Sequence, residues 1–150
     1  MNKFLRFLSV VVFALVGTVA SAQSSVYYQK VTSEPDDWSG DYLIVYEKGP
    51  LAFNGGLKSL DASGNTINVT IDDGRIDANE TTNAAKFTIA AVDGDYSVRA
   101  ASGKYIGQTA YKNGLMVKDE ALPNKISLDS DGNANIISTT SKGDSCFLRY

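Results

Sequence analysis

The sequence predicts an all-β fold, a β-trefoil-like barrel of three unequal repeats whose third repeat is short. Three observations carry that expectation. Short β-prone runs alternate with turn residues, and no stretch places apolar residues at helical spacing. Three Asp-Gly pairs, Asp73-Gly74, Asp93-Gly94 and Asp131-Gly132, sit between such runs. A glycine-led pattern also recurs, as Gly40-Asp41-Tyr42-Leu43-Ile44, Gly94-Asp95-Tyr96-Ser97-Val98 and, more weakly, Gly132-Asn133-Ala134-Asn135-Ile136.

The chain begins with a segment of another kind. Lys3 and Arg6 precede the apolar run Phe7-Leu8-Ser9-Val10-Val11-Val12-Phe13-Ala14-Leu15-Val16, which is too short to span a bilayer. Ala20-Ser21-Ala22 then supplies the small side chains that a signal peptidase accepts, and polar Gln23-Ser24-Ser25 follows. Residues 1–22 are therefore read as a signal peptide cleaved between Ala22 and Gln23, and 23–150 as one domain. The expected destination is the periplasm, the cell surface or the medium, with no membrane attachment after cleavage.

Along the mature chain, Tyr42-Leu43-Ile44-Val45-Tyr46 is apolar on both faces and is expected to cross the middle of the structure. Ile67-Asn68-Val69-Thr70-Ile71, Phe87-Thr88-Ile89 and Tyr96-Ser97-Val98-Arg99-Ala100 alternate apolar with polar, as half-buried strands do. Each Asp-Gly pair is expected to form a tight hairpin, because a type I′ turn needs positive φ at both central residues. Ser63-Gly64-Asn65, Ser102-Gly103-Lys104 and Asn113-Gly114 are further turns. After each glycine-led copy comes an aromatic element: Leu51-Ala52-Phe53-Asn54-Gly55, Lys104-Tyr105-Ile106-Gly107, then Cys146-Phe147-Leu148-Arg149. The third unit stops where the first two continue into a hairpin. Either a terminal strand is missing from this chain, or the barrel closes less perfectly than the repeat implies.

Composition narrows the chemistry. The chain has 14 basic and 17 acidic residues; removal of Lys3 and Arg6 leaves 12 against 17, a net charge of −5. That field opposes phosphate backbones and anionic lipid, so no nucleic-acid partner is expected. The sequence holds no histidine and a single cysteine, Cys146. Ser-His-Asp and Cys-His systems and the usual zinc sites cannot be built without imidazole or several thiols, and no disulfide framework can form. Cys146, beside Phe147 and Leu148, is expected to be a small buried hydrophobe. No cofactor is expected.

At this point the residues resemble a family. Tyr28, Lys30-Val31-Thr32-Ser33, Asp37-Trp38-Ser39-Gly40, Tyr42-Leu43-Ile44-Val45-Tyr46-Glu47, Phe53-Asn54-Gly55, Leu60-Asp61, Phe87-Thr88-Ile89 and Ser102-Gly103-Lys104-Tyr105-Ile106-Gly107 are similar to an uncharacterised module. That module occurs in secreted proteins of Gram-negative gut commensals, often C-terminal to exported nucleases and other hydrolases. The resemblance covers nearly all of the mature chain. It implies a bacterial, non-catalytic accessory role and brings no ligand and no catalytic residues. In that family Leu-Arg-Tyr/Phe is followed by Asn and a strand rich in Arg, Phe and Tyr, which this chain does not reach.

Binding residues are sought where aromatic and polar groups cluster. Trp38, the only tryptophan, lies among Asp36, Asp37 and Asp41. An aromatic face stacked on a pyranose, with carboxylates taking its hydroxyls, is a common sugar site; the competing and preferred reading has Trp38 capping the barrel. The Gln-x-Trp signature of ricin-type lectins is absent. Tyr111 and Asn113 form a second exposed-looking cluster. Asp72, Asp73, Asp93, Asp129 and Asp131 are assigned to turns rather than to a glycosidase pair. Asp129-Ser130-Asp131-Gly132-Asn133 departs from a calcium loop, with Ala134 and Thr140 at the sixth and twelfth positions.

The expected function is thus an exported binding module for glycan or another extracellular polymer, through Trp38, Asp37, Asp41, Tyr111 and Asn113. A small carboxylate-dependent hydrolase and a proteinaceous inhibitor or structural partner of a secreted enzyme are the alternatives.

Overall fold

A computed structural model describes residues 10–16, 26–56, 64–110 and 116–148. The proposed cleavage point at Ala22 and Gln23, the candidates Tyr111 and Asn113, and the turn Asn113-Gly114 lie outside the described residues.

The fold is all-β, as expected. In chain order its strands are β1 (Val11–Val16), β2 (Tyr27–Lys30), β3 (Gly40–Tyr46), β4 (Leu51–Phe53), β5 (Thr66–Asn68) and β6 (Arg75–Asp77). One helical turn, α1 (Glu80–Ala84), precedes β7 (Phe87–Val92), β8 (Asp95–Ala100), β9 (Tyr105–Gly107) and β10 (Met116–Lys118). The chain continues through β11 (Asn124–Leu128), β12 (Ala134–Thr139) and β13 (Ser145–Phe147).

All pairings are antiparallel and form one sheet, ordered β13-β12-β11-β8-β7-β3-β1-β2-β6, with β4 and β5 branching from β3 and β9 and β10 from β8. The sheet is open: among the described residues its end strands β13 and β6 do not pair with each other. Closure into a barrel is therefore not part of the described structure.

Two cores lie on opposite sides of a shared wall made by β1 and β3. Side chains alternate along a strand, so Val10, Val12, Tyr42 and Ile44 enter one core with Trp38, Phe87, Ile89, Val98, Ile106 and Ile136. Their neighbours Val11, Phe13, Leu43 and Val45 enter the other with Tyr28, Ala52, Val69 and Ile76. The two-sided apolar run at residues 42–46 thus does cross the middle. Unexpectedly, so does residues 10–16, the run read as a leader.

Two Asp-Gly turns adopt the expected geometry, with φ of 46° and 69° at Asp73 and Gly74 and of 50° and 83° at Asp93 and Gly94. The third departs from it. Only Gly132 has positive φ there, and Asp129 organises a longer loop by accepting from the backbone N–H groups of Asp131 and Asn133 at 2.9 and 2.8 Å. The strand expected over residues 67–71 ends at Asn68. α1 has no apolar periodicity; it forms because Asn79 caps it, accepting from the Thr82 N–H while Thr82 Oγ1 accepts from the Asn79 N–H. Cys146 is partly exposed rather than buried, with Sγ 3.7 Å from the Ala110 carbonyl oxygen.

Candidate functional site

Asp37 and Trp38 lie in the loop that leads into β3 and Asp41 lies at the start of β3, and each is engaged within the protein. Asp37 Oδ1 accepts from both the N–H and the hydroxyl of Ser39 at 2.9 Å, the short-range bond that Asp favours in turns. Those backbone and hydroxyl bonds hold its carboxyl below the ordinary range. Trp38 is only 3% exposed and packs against Tyr42, with ring centroids 6.1 Å apart and tilted by 50°. Its ring belongs to the core and offers no open face for a pyranose. Asp41 accepts from Lys86 Nζ and Thr88 Oγ1, both at 2.7 Å, across the β3–β7 pairing that sets Asp41 opposite Thr88. Burial would raise its pKa, but hydrogen bonds from Lys86 and Thr88 and the charge of Lys86 outweigh burial and lower it.

Of the turn carboxylates, Asp129 is engaged in the same way. Asp129 is held low by hydrogen bonds from the Asn133 side chain and backbone and from the Asp131 backbone. A general acid in glycoside hydrolysis needs its pKa raised. Among the described carboxylates every resolved shift is downward, so Asp37, Asp41 and Asp129 are ionised acceptors at neutral pH. Among the described residues no group of three or more His, Cys, Asp or Glu side chains is placed to hold a metal.

A cleft lies elsewhere, between the end of β4 and α1. It has a volume of about 340 Å³, at the small end of ligand sites. Ile67, Ala84 and Ala85 give it apolar walls; Asn54, Thr81 and Ser102 add an amide and two hydroxyls. Its geometry comes from the Asn54-Gly55-Gly56 turn. Asn54 Oδ1 accepts from the Gly56 N–H at 2.8 Å, and Asn54 Nδ2 donates to the Gly64 carbonyl at 2.9 Å. Gly55 has φ of 76°, and a Cβ there would lie 2.6 Å from the Cβ of Ala100, so no other residue fits. Phe87, beside Gly55, stacks on Phe53 with ring centroids 5.4 Å apart.

The sequence reading missed this cleft because it looked for aromatic and acidic clusters. The available signal was Gly55-Gly56 directly after an amide side chain, a pattern read only as the end of an aromatic element. Close backbone approach at Gly55 depends on Ala100, 45 positions away in sequence. No family model, curated protein or solved structure matches the chain.

Proposed function

We propose that the chain is an exported, non-catalytic binding module for a hydroxyl-rich extracellular polymer, with glycan the fitting class, and that the cleft beside α1 is its contact point. One observation carries this reading. The cleft combines neutral hydrogen-bonding groups with apolar walls on a turn that glycine and Asn54 hold rigid, while Asp37, Asp41 and Asp129 are committed to local bonds. Neutral donors and acceptors beside apolar surface suit sugar hydroxyls and ring carbons. The Asn54-Gly55-Gly56 turn and Ser102 contribute loop residues to the site, and loops are where binding residues concentrate.

The trefoil-like reading belongs with this proposal. Gly40 opens β3, while Gly94 and Gly132 sit in the turns that lead into β8 and β12, one for each of three units. In the uncleaved chain Ala134 N–H donates to the Val10 carbonyl at 2.7 Å, which brings the third unit against β1; closure of the mature module needs that place filled after cleavage.

The test is binding to polysaccharide panels by pull-down and glycan array. Thr81→Arg and Ala84→Arg, on the exposed rim of α1, are expected to weaken binding at least about tenfold without lowering Tm, since they fill the cleft but leave the core intact. Asp37→Asn is expected to leave binding unchanged. Wild-type protein that binds no glycan, or rim variants that bind as well as wild type, would contradict the proposal.

A further inference from the structure

β1 lies between β2 and β3 and is antiparallel to both, so β2 and β3 run parallel to one another with one strand's width between them. Strands sit about 4.8 Å apart, so the two walls are about 10 Å from each other and cannot bond directly. Four successive residues of the intervening segment, Val10 to Phe13, are at most 5% exposed and face the two cores alternately. Backbone bonds secure it further, from Val31 N–H to the Val12 carbonyl at 2.9 Å and from Ala134 N–H to the Val10 carbonyl. Yet these residues belong to the run that export would remove. Among the described residues after 23, the two-sided apolar run at residues 42–46 already lies in the sheet as β3 and is not free to replace it.

We propose that the seat between β2 and β3 is an acceptor site for one extended apolar strand. Residues 10–16 hold it in the uncleaved chain, and an apolar strand of a partner polypeptide takes it, in the same antiparallel register, once the leader is cut away. The partner half rests on the export reading above. The seat specifies its occupant's chemistry. The edges of β2 and β3 that now pair with β1 would supply hydrogen bonds to any strand that replaces it, and alternate pockets select among sequences. One face takes small aliphatic groups in the places of Val10 and Val12, beside Tyr42 and Ile44. The other takes an aliphatic and then an aromatic group in the places of Val11 and Phe13, beside Tyr28, Leu43 and Val45. An empty seat would expose apolar surface and unpaired backbone together, which drives strand capture.

The experiment uses the full chain with a specific protease site inserted between Thr18 and Val19, purified folded, cut, freed of the 1–18 fragment in denaturant and refolded with or without probe. The probe is a fluorescent peptide with the sequence of residues 9–16 and a dilysine tail. The cut chain is expected to take up the peptide saturably, the uncut chain to take up none, and a peptide with Asp at the positions of Val12 and Phe13 to bind at least about a hundredfold more weakly. The site is refuted by uptake into uncut chain, by equal uptake of the charged peptide, by no uptake, or by a cut chain that unfolds and is not restored by peptide. Mass spectrometry of chain recovered from an exporting host tests export separately. A start at Gln23 supports the partner half; a start at Met1 overturns it, because the resident strand then never leaves.

Discussion

Asn124, 1% exposed, shows how much of the interior depends on single polar side chains. Its Nδ2 donates to the Leu122 carbonyl at 2.8 Å and to the Ile106 carbonyl at 3.3 Å, and its Oδ1 accepts from the Ser138 hydroxyl at 2.6 Å. Ser138 Oγ in turn accepts from the Gln108 N–H at 3.0 Å, so the network ties β9 and β11 to β12. Asn124→Leu strands these buried partners and is expected to cost about 2–4 kcal/mol in denaturant unfolding, against about 1–2 for Ser138→Ala. Nothing in the sequence marks Asn124, because a buried amide and a surface amide look alike until their partners are known. Trp38 was more legible: a lone large aromatic in a loop favours burial, and it is buried.

Ionisation at the same scale sets two limits of stability. Asp41 has a folded pKa below the ordinary 3.8, so its contribution is present above that value and is lost as pH falls through the lowered one. Tyr28, fully buried and donating to Asn83 Oδ1 at 2.7 Å, has its pKa pushed up to about 12 by burial and by the Asp41 charge. Its contribution is complete below pH 10 and is lost as pH rises from 10 through about 12. Stability measured from pH 9 to 12 is expected to fall less steeply in Tyr28→Phe than in wild type. Parallel curves would remove Tyr28 from the account.

Among the elements, turns were the most legible. Two of the three Asp-Gly pairs are type I′ hairpins because the pattern demands only local backbone geometry. The Asp131-Gly132 loop differs because Asp129, two positions earlier, captures the backbone first. Glycine substitutions separate local from tertiary demands. Gly94→Ala meets no neighbour and carries only the cost of positive φ, about 1 kcal/mol, whereas Gly55→Ala also drives a Cβ into Ala100 and is expected to cost more than about 2. Thermal unfolding of the two variants checks the order. α1 escaped notice because a five-residue helix needs no apolar stripe; its capping box, Asn79 with Thr82, was its one sequence trace.

At the scale of the whole molecule, the all-β class and the central, two-sided strand at residues 42–46 could be read directly, since alternation and its loss reflect burial of one face or two. The role of residues 10–16 could not. A short unbroken apolar run is what a leader needs to enter a membrane pathway, and equally what a strand shared by two cores needs, so composition does not separate the two. The structure shows the second use in the intact chain, with Phe13 fully buried and paired to both Lys30 and Leu43. Phe13→Ala is accordingly expected to cost about 3–5 kcal/mol, the range for an aromatic removed from a packed interior.

Native-state hydrogen exchange on the intact, uncleaved chain tests this most directly. If residues 10–16 are the strand shared by the two cores, the amides of Val12 and Phe13 exchange as slowly as those of Leu43 and Val45, through global unfolding. Exchange of Val12 and Phe13 at unstructured rates, with Leu43 and Val45 still protected, would contradict it.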